Sequence, residues 1–131
     1  MNAFLVELEN KPGALATLAE AIAAKGVNIT GVAGTSCDSG GRVAIVTADD
    51  TTTRMVLQNG GHSFKEIEVT ETHLRDEPGT LAKATRRLAQ AGVNVEAIFP
   101  TGMSGREIAV AFVTNNPSKA REALATAASV G

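Results

Sequence analysis

Two short turns in the sequence carry residue types that could bind a charged small molecule. Asn10, Pro12 and Gly13 precede one run with helical periodicity, and Asp76 and Gly79 precede a second. The start of a helix offers unpaired backbone N–H groups and a partial positive charge, to which a carboxylate can bind. A glycine lets a ligand approach the backbone closely, and an asparagine amide can both donate and accept hydrogen bonds. Turns of this kind can therefore bind a small molecule that carries a carboxylate.

The two turns belong to a long internal repeat. Glu9–Gly34 has the sequence ENKPGALATLAEAIAAKGVNITGVAG and aligns without a gap with Arg75–Pro100, RDEPGTLAKATRRLAQAGVNVEAIFP. Two copies of this unit account for nearly the whole chain, which indicates a tandem pair. We predict domains at residues 1–68 and 69–131, with the last strand of the second short or absent. Because no glycine- and serine-rich linker separates them, we expect the two units to lie side by side.

Periodicity predicts the same order of elements in both units. Alternating apolar residues indicate strands, and apolar residues at i, i+3, i+4 and i+7 indicate helices. In the first unit, Asn10 is expected to cap a helix that buries Leu15, Leu18, Ala19 and Ile22 and that ends near Gly26. The second unit places Leu81, Ala84, Thr85 and Leu88 on the matching helical face. Its first strand is polar, so its burial is less evident from the sequence.

The resulting class is α+β, with two ferredoxin-like βαββαβ units and antiparallel sheets. The predicted strands are Ala3–Leu8, Val27–Val32, Val43–Thr47, Phe64–Val69, Val69–Leu74, Val93–Phe99 and Glu107–Thr114; the other predicted helices are Arg54–Gln58, Gly79–Ala91 and Pro117–Ala128.

Composition narrows the function classes. The chain has 131 residues, 44% of them hydrophobic, and a net charge of −2, which gives no broad attraction for nucleic acid or anionic membrane. There is no membrane-spanning run or signal peptide, and Cys37 is the single cysteine, so we expect a cytoplasmic protein. Four Phe with no Tyr or Trp argue against an RNA-stacking sheet. His62 and His73 have no metal-ligand spacing, and no catalytic triad or paired acids appear. We therefore predict no metal, no cofactor and no enzymatic activity.

The repeated motif resembles the ACT domain family. Leu8-Glu9-Asn10-x-Pro12-Gly13-x-Leu15 followed by Gly26-Val27-Asn28-Ile29 carries the resemblance, and the second copy repeats it from Leu74 to Leu81 and from Gly92 to Val95. The resemblance implies a non-catalytic regulatory module that senses small ligands, most often amino acids, at the seam between paired domains. It also implies allosteric control of a protein target that is contacted in trans.

The resemblance also implies site residues, with the asparagine of each unit completing the site of the other. The first site would comprise Leu8, Asn10, Pro12, Gly13, Ala14 and Leu15, closed by Asn94; the second would comprise Leu74, Asp76, Pro78, Gly79, Thr80 and Leu81, closed by Asn28, with Val27, Ile29, Val93 and Val95 as walls. Asp76 and Glu77 replace Asn10 and Lys11, so we expect the sites to differ in affinity and the first to bind better.

Other interpretations stay open at this point. The Pro-Gly pairs could simply separate a strand from a helix. Asn28 and Asn94 could satisfy backbone groups at the start of a strand. The alternative function is a ligand-free interaction module that binds a partner protein through exposed sheet edges. A homodimer that pairs edge strands is the expected assembly.

Overall fold

The computed structural model describes residues 1–37 and 40–130, with side chains through residue 125. The chain divides into two compact units, Met1–Ile67 and Glu68–Gly131. Its elements in chain order are β1 (Asn2–Glu9), α1 (Ala14–Ala23), β2 (Ile29–Cys37), β3 (Gly40–Thr47), α2 (Asp50–Asn59), β4 (Phe64–Arg75), α3 (Thr80–Gln90), β5 (Val95–Ser104), β6 (Glu107–Thr114) and α4 (Pro117–Val130).

Unit 1 is a complete βαββαβ unit whose sheet has the order β2-β3-β1-β4. Strand β3 pairs antiparallel with both β1 and β2. Its helices pack on one face of the sheet because their apolar stripes and the alternating residues of the strands are buried together. This core consists of Phe4, Val6, Leu18, Ile22, Val43, Ile45, Val56 and Leu57.

Unit 2 repeats this plan. The second part of β4 pairs antiparallel with β6, and β6 pairs antiparallel with β5. The core consists of Leu74, Ala84, Leu88, Val93, Val110, Phe112, Ala120 and Leu124. Most of these residues come from the same positions of the repeat as core residues of unit 1, for example Leu88 for Ile22 and Phe112 for Ile45. The predicted α+β class with two ferredoxin-like units and antiparallel sheets is therefore confirmed, and the domain bounds and the short last strand stay predictions.

Helix starts differ in part from the sequence prediction. The prediction that Asn10 is the N-cap of α1 is wrong, because Gly13 occupies the N-cap position. Helix α2 begins at Asp50 rather than Arg54, because Asp49 accepts a hydrogen bond from the N–H of Thr52 at 3.0 Å. Helix α4 begins at Pro117 as predicted, and Asn116 Oδ1 accepts a hydrogen bond from the N–H of Lys119 at its start.

Two features of the predicted packing also differ. Leu15 and Leu81, which were expected to lie on the buried stripes, are 52% and 49% exposed. Each lies in the first turn of its helix, before the stripe reaches the sheet. The polar first strand of unit 2 is nevertheless well buried, since Thr70 and Thr72 are both less than a tenth exposed.

Candidate functional site

The first predicted turn has a backbone conformation that requires glycine. Gly13 has φ of 90°, in the left-handed region that residues with a Cβ rarely adopt. Within the turn, the N–H of Lys11 donates to the carbonyl of Glu9 at 3.0 Å, and the N–H of Ala14 donates to the carbonyl of Lys11 at 3.4 Å. No Cβ built on Gly13 would meet another atom within 4 Å, so the backbone is open to an approaching group.

The second predicted turn has the same geometry. Gly79 also has φ of 90°, and the N–H of Glu77 donates to the carbonyl of Arg75 at 2.8 Å. The N–H of Thr80 donates to the carbonyl of Glu77 at 3.4 Å, as Ala14 does to Lys11 in the first turn. The repeat in sequence is thus a repeat of backbone structure, and glycine is needed at both positions.

A cleft of about 510 Å³ lies beside the first turn, within unit 1. It brings together four of the predicted site residues: Leu8, Asn10, Ala14 and Leu15. The exposure of Leu15 follows from this position, because its side chain lines the cleft instead of the core. A helix start at the edge of an open cleft with an apolar wall can hold the carboxylate of a small molecule while its side chain contacts leucine.

The remaining wall of the cleft was not found from the sequence. It is formed by strand residues distant in the chain, namely Gly34, Thr35, Ser36, Gly41, Arg42 and Val43. No motif marks these residues, because their approach to the turn depends on the pairing of β3 with β1 and of β2 with β3. The pairing of β2 with β3 brings residues of both strands together at this wall, since Gly34 lies opposite Val43 and Thr35 opposite Arg42.

A second, larger cleft of about 660 Å³ opens in the same unit. It shares five residues with the first cleft, Leu8, Glu9, Thr35, Gly41 and Arg42, and adds Glu7, Cys37, Gly40 and Ser63. The carboxylate of Glu7 lies 3.7 Å from the guanidinium of Arg42, an exposed pair that contributes little to stability. Of the predicted site residues, only Leu8 lines this cleft.

The charges beside the two turns are reversed. Lys11 Nζ lies 2.9 Å from Glu9 Oε2, whereas in the second turn Arg75 Nη1 lies 3.7 Å from Glu77 Oε1. The hydrogen bond from Lys11 lowers the pKa of the Glu9 carboxyl, and the same contact raises the pKa of Lys11. The charged group one residue before the proline is therefore a cation in the first turn and an anion in the second.

The second turn also contains hydrogen bonds from one of its own side chains to its backbone. Thr80 Oγ1 lies 2.7 Å from the carbonyl oxygen of Arg75 and 3.2 Å from that of Glu77, so the hydroxyl donates within the turn. Ala14 occupies the matching position of the first turn and has no hydroxyl. Asp76 is exposed, and its N–H donates to the carbonyl of Arg106 at 2.7 Å.

The two asparagines that were expected to complete the sites are exposed. Their carbonyls accept equivalent hydrogen bonds, Asn28 from the N–H of Ala48 at 3.0 Å and Asn94 from the N–H of Asn115 at 3.2 Å. Among the described residues, neither side-chain amide has a hydrogen-bond partner, so both can bind another group. The prediction that Asn94 closes the first site and Asn28 the second stays a prediction.

The predicted apolar wall residues lie elsewhere. Ile29 packs against the core of unit 1 and Val95 against the core of unit 2. Neither lines the cleft beside the first turn. Leu81 and Gly79 occupy the second turn and its helix start, as Leu15 and Gly13 do in the first.

Across the described part of the chain, no group of His, Cys, Asp and Glu could hold a metal ion. No described helix has the length and apolar character needed to cross a bilayer. Cys37 is exposed and forms no disulfide with another described residue.

Two ferredoxin-like units, each with the same turn at the start of its first helix, define the structural class of this protein. Comparison with known protein families agrees with this class. The family model for the ACT domain pair matches residues 1–128, so the chain belongs to the ACT domain pair family. The resemblance seen in the two Pro-Gly motifs is thereby confirmed. No curated protein matches the sequence.

Several solved structures have the same fold. A protein from Bacteroides thetaiotaomicron is 22% identical, with a TM-score of 0.82 over 95% of this chain and 86% of its own. The ligand-free regulatory subunit of aspartate kinase from Thermus thermophilus is 19% identical, with a TM-score of 0.67 over 96% of this chain and 90% of its own. The regulatory subunit from Thermus flavus is 17% identical, with a TM-score of 0.66 over 96% of this chain and 92% of its own. At these identities the similarity shows the fold.

Proposed function

We propose that this protein is a non-catalytic regulatory protein that binds a free amino acid. The carboxylate of the ligand binds at the start of α1, and its side chain enters the cleft lined by Leu8 and Leu15. The single observation that carries the proposal is the cleft of about 510 Å³, which gathers Leu8, Asn10, Ala14 and Leu15 beside the Gly13 turn. Membership of the ACT domain pair family supports a ligand-sensing role.

The first site is the stronger of the two in this proposal. The charge before the proline is positive at Lys11 and negative at Glu77, and Thr80 closes the second turn internally. The proposal keeps Asn94 as the residue that closes the first site and Asn28 as the one that closes the second. Cys37 is the single cysteine of the sequence, which suits a reducing compartment, and the proposed location is the cytoplasm.

Ligand binding would act by population shift. An amino acid that binds one packing of the protein more tightly than another changes how a target protein is bound in trans. Couplings of this kind are typically about 1–3 kcal/mol. The target is a separate enzyme or transporter in this proposal.

The direct test is a thermal-shift screen of the purified chain against each of the twenty amino acids. A ligand present at about 100 times its dissociation constant adds about 2.7 kcal/mol to the free energy of unfolding. We expect one amino acid or a chemically related few to raise the melting temperature. If none of the twenty does so, the amino-acid proposal is wrong.

Ala14→Glu locates the site without damaging the helix. A carboxylate at the first helical position repels a ligand carboxylate, while it stabilises the helix start by about 0.3–1 kcal/mol at low salt. We expect the ligand-dependent shift to disappear although the unliganded protein melts no lower. Substitution of Gly13 is a weaker test, because a side chain at φ of 90° adds strain of about 1–2 kcal/mol.

Ala21→Glu is the matched control for this variant. Ala21 is an exposed residue of the same helix, away from its first turn, and glutamate has a good helix propensity. The control should keep the full ligand shift in the same assay. An undiminished shift in Ala14→Glu would place the ligand elsewhere than at this turn.

A further inference from the structure

The floor of the first cleft contains two glycines, Gly34 and Gly41. Gly41 lies opposite Leu8 in the pairing of β3 with β1, and Gly34 lies opposite Val43 in the pairing of β2 with β3. Leu8 and Val43 both contact the core beneath the helices, so positions 34 and 41 lie on the helix-bearing face of the sheet as well. Because both glycines line the cleft, the cleft reaches the backbone of the sheet at these two positions.

The equivalent positions of unit 2 carry larger side chains. By strand register, Ile108 of β6 corresponds to Gly41. Pro100 of β5 corresponds to Gly34 in the same way. Ile108 is partly buried and packs against the core of unit 2. The two units therefore share a strand register but differ in the side-chain volume that this part of the sheet carries.

Neither the backbone conformation nor the packing of unit 1 requires glycine at positions 34 and 41. Both residues have φ outside the left-handed region. A Cβ built on Gly41 would lie 3.4 Å from the carbonyl oxygen of Leu8. One built on Gly34 would lie 3.7 Å from Val43 Cγ2, and both distances are ordinary van der Waals contacts. Glycine weakens the interior of a strand, and it often marks a place where a ligand approaches the backbone closely.

The floor is bordered mainly by apolar side chains. On the helix-bearing face, the lining consists of Leu8, Ala14, Leu15, Ser36 and Val43. Arg42 alternates with Val43 and so lies on the opposite face, where its guanidinium is 3.7 Å from the carboxylate of Glu7. Glu9 and Lys11 belong to the turn and pair with each other at 2.9 Å. The floor therefore suits an apolar side chain better than a charged one, because burial of an unpaired charge is costly.

We propose that Gly34 and Gly41 select an amino acid with a large apolar side chain, such as leucine, methionine or phenylalanine. This inference rests on the proposed amino-acid function and adds the size and polarity of the ligand. With the ligand carboxylate at the start of α1, the ligand side chain lies over the two glycines and contacts Leu8 and Leu15. A small side chain leaves this floor uncovered and buries less apolar surface, so it binds more weakly.

The test is isothermal titration calorimetry of the purified full chain with each of the twenty amino acids. We expect the large apolar amino acids to bind more tightly than alanine, glutamate or lysine. Gly34→Ala and Gly41→Ala each place a methyl group on the floor, and each should raise the dissociation constant for the tightest ligand by about tenfold or more. The increase should be smaller for valine, whose shorter side chain leaves room above the floor.

Gly40→Ala is the matched control for these variants. Gly40 precedes Gly41 in β3 but lies on the opposite face of the sheet, and it does not line the first cleft. Its Cβ would lie 3.8 Å from the carbonyl oxygen of Cys37, so the added methyl group fits. We expect Gly40→Ala to bind the ligand with the dissociation constant of the wild type. All three variants should melt no lower than the wild type without ligand, which separates lost binding from lost structure.

The titrations distinguish failure of this inference from failure of the proposed function. If the wild type binds none of the twenty amino acids, both are wrong. If the wild type binds an amino acid but prefers a small or charged one, the specificity inference alone is overturned. The same holds if Gly34→Ala and Gly41→Ala bind the preferred ligand as tightly as Gly40→Ala does.

Discussion

Thr70 places a hydroxyl in the core of unit 2 where the repeat has Phe4 in unit 1. It is 4% exposed, and among the side chains described its Oγ1 has no hydrogen-bond partner. A buried polar group without a partner costs about 1–3 kcal/mol. The core of unit 2 therefore contains an unpaired polar atom at a position that is apolar in unit 1.

Thr70→Val should stabilise the protein, since it replaces the unpaired hydroxyl with a methyl group of similar volume. We expect the free energy of unfolding to rise by about 1 kcal/mol. Urea unfolding followed by circular dichroism measures it. Thr53→Val is the control, because Thr53 is also buried but its hydroxyl donates to the carbonyl of Asp49 at 2.8 Å. A loss of stability in Thr70→Val would mean that the hydroxyl has a partner in solution.

At the scale of elements, helix α2 is fixed to the sheet of unit 1 by a partly buried ion pair. Arg54 donates two hydrogen bonds of 2.7 Å to the carboxylate of Glu66 on β4, and Asn2 Nδ2 donates a third at 2.6 Å. The Glu66 side chain is 19% exposed. The hydrogen bond from Arg54 is the main reason that the pKa of Glu66 is lowered; burial opposes it, and the bond from Asn2 adds to it.

This lowered pKa predicts the pH dependence of Glu66→Gln. A carboxyl whose pKa is lower in the folded than in the unfolded state stabilises the fold above its ordinary pKa of about 4.5, and this stabilisation is lost as the pH falls through the folded pKa. We expect Glu66→Gln to lower the free energy of unfolding by about 1.5 kcal/mol at pH 7. The difference from the wild type should shrink as the pH falls below about 4.5 and through the lowered pKa of the folded state.

Glu68→Gln is the control for Glu66→Gln. The Glu68 carboxylate lies 2.7 Å from Arg121 of α4, the same distance, but both side chains are more than half exposed. An exposed pair contributes about 0–1 kcal/mol. Denaturant titrations of both variants and of the wild type at pH 7 and at pH 3.5 give the change in the free energy of unfolding for each variant at each pH. A pH-independent effect of Glu66→Gln would rule out the charge as its cause.

At the scale of the whole molecule, stability is divided between two cores. Ile22 and Leu88 are fully buried at equivalent positions of α1 and α3. Next to them the cores differ, because Leu18 of the first corresponds to Ala84 of the second. Each unit therefore depends on its own helix–sheet contacts.

Ile22→Ala and Leu88→Ala should each lower the free energy of unfolding of the full chain by about 2–5 kcal/mol, through lost burial and the cavity that remains. Met55→Ala, at a 54% exposed position, should change it by less than about 0.5 kcal/mol. Urea unfolding of the three variants measures the differences. A small effect of one core substitution would show that its unit contributes little to the measured transition.

The sequence by itself determined the repeat, the α+β class and the positions of most elements. These depend on local patterns: alternation in Ala3–Leu8, helical spacing from Leu18 to Ile22, and the glycines that end or begin helices. Such patterns predicted β6 at Glu107–Thr114 and the start of α4 at Pro117 with the bounds that the structure has. Two predicted strands that met at Val69 form the single strand β4, because no local signal interrupts Phe64–Arg75.

Tertiary structure alone decided what surrounds the candidate site. Leu15 fits the apolar stripe of α1 in sequence, yet it lines a cleft because the first turn lies beyond the sheet residues that cover Leu18. Gly34 and Arg42 reach the same cleft only through the lateral order of β2, β3 and β1, which no short-range pattern encodes. The missing partner of Thr70 likewise depends on which atoms other elements bring near it. Spacing along the chain determines which face of an element a residue lies on, whereas packing between elements determines what that face meets.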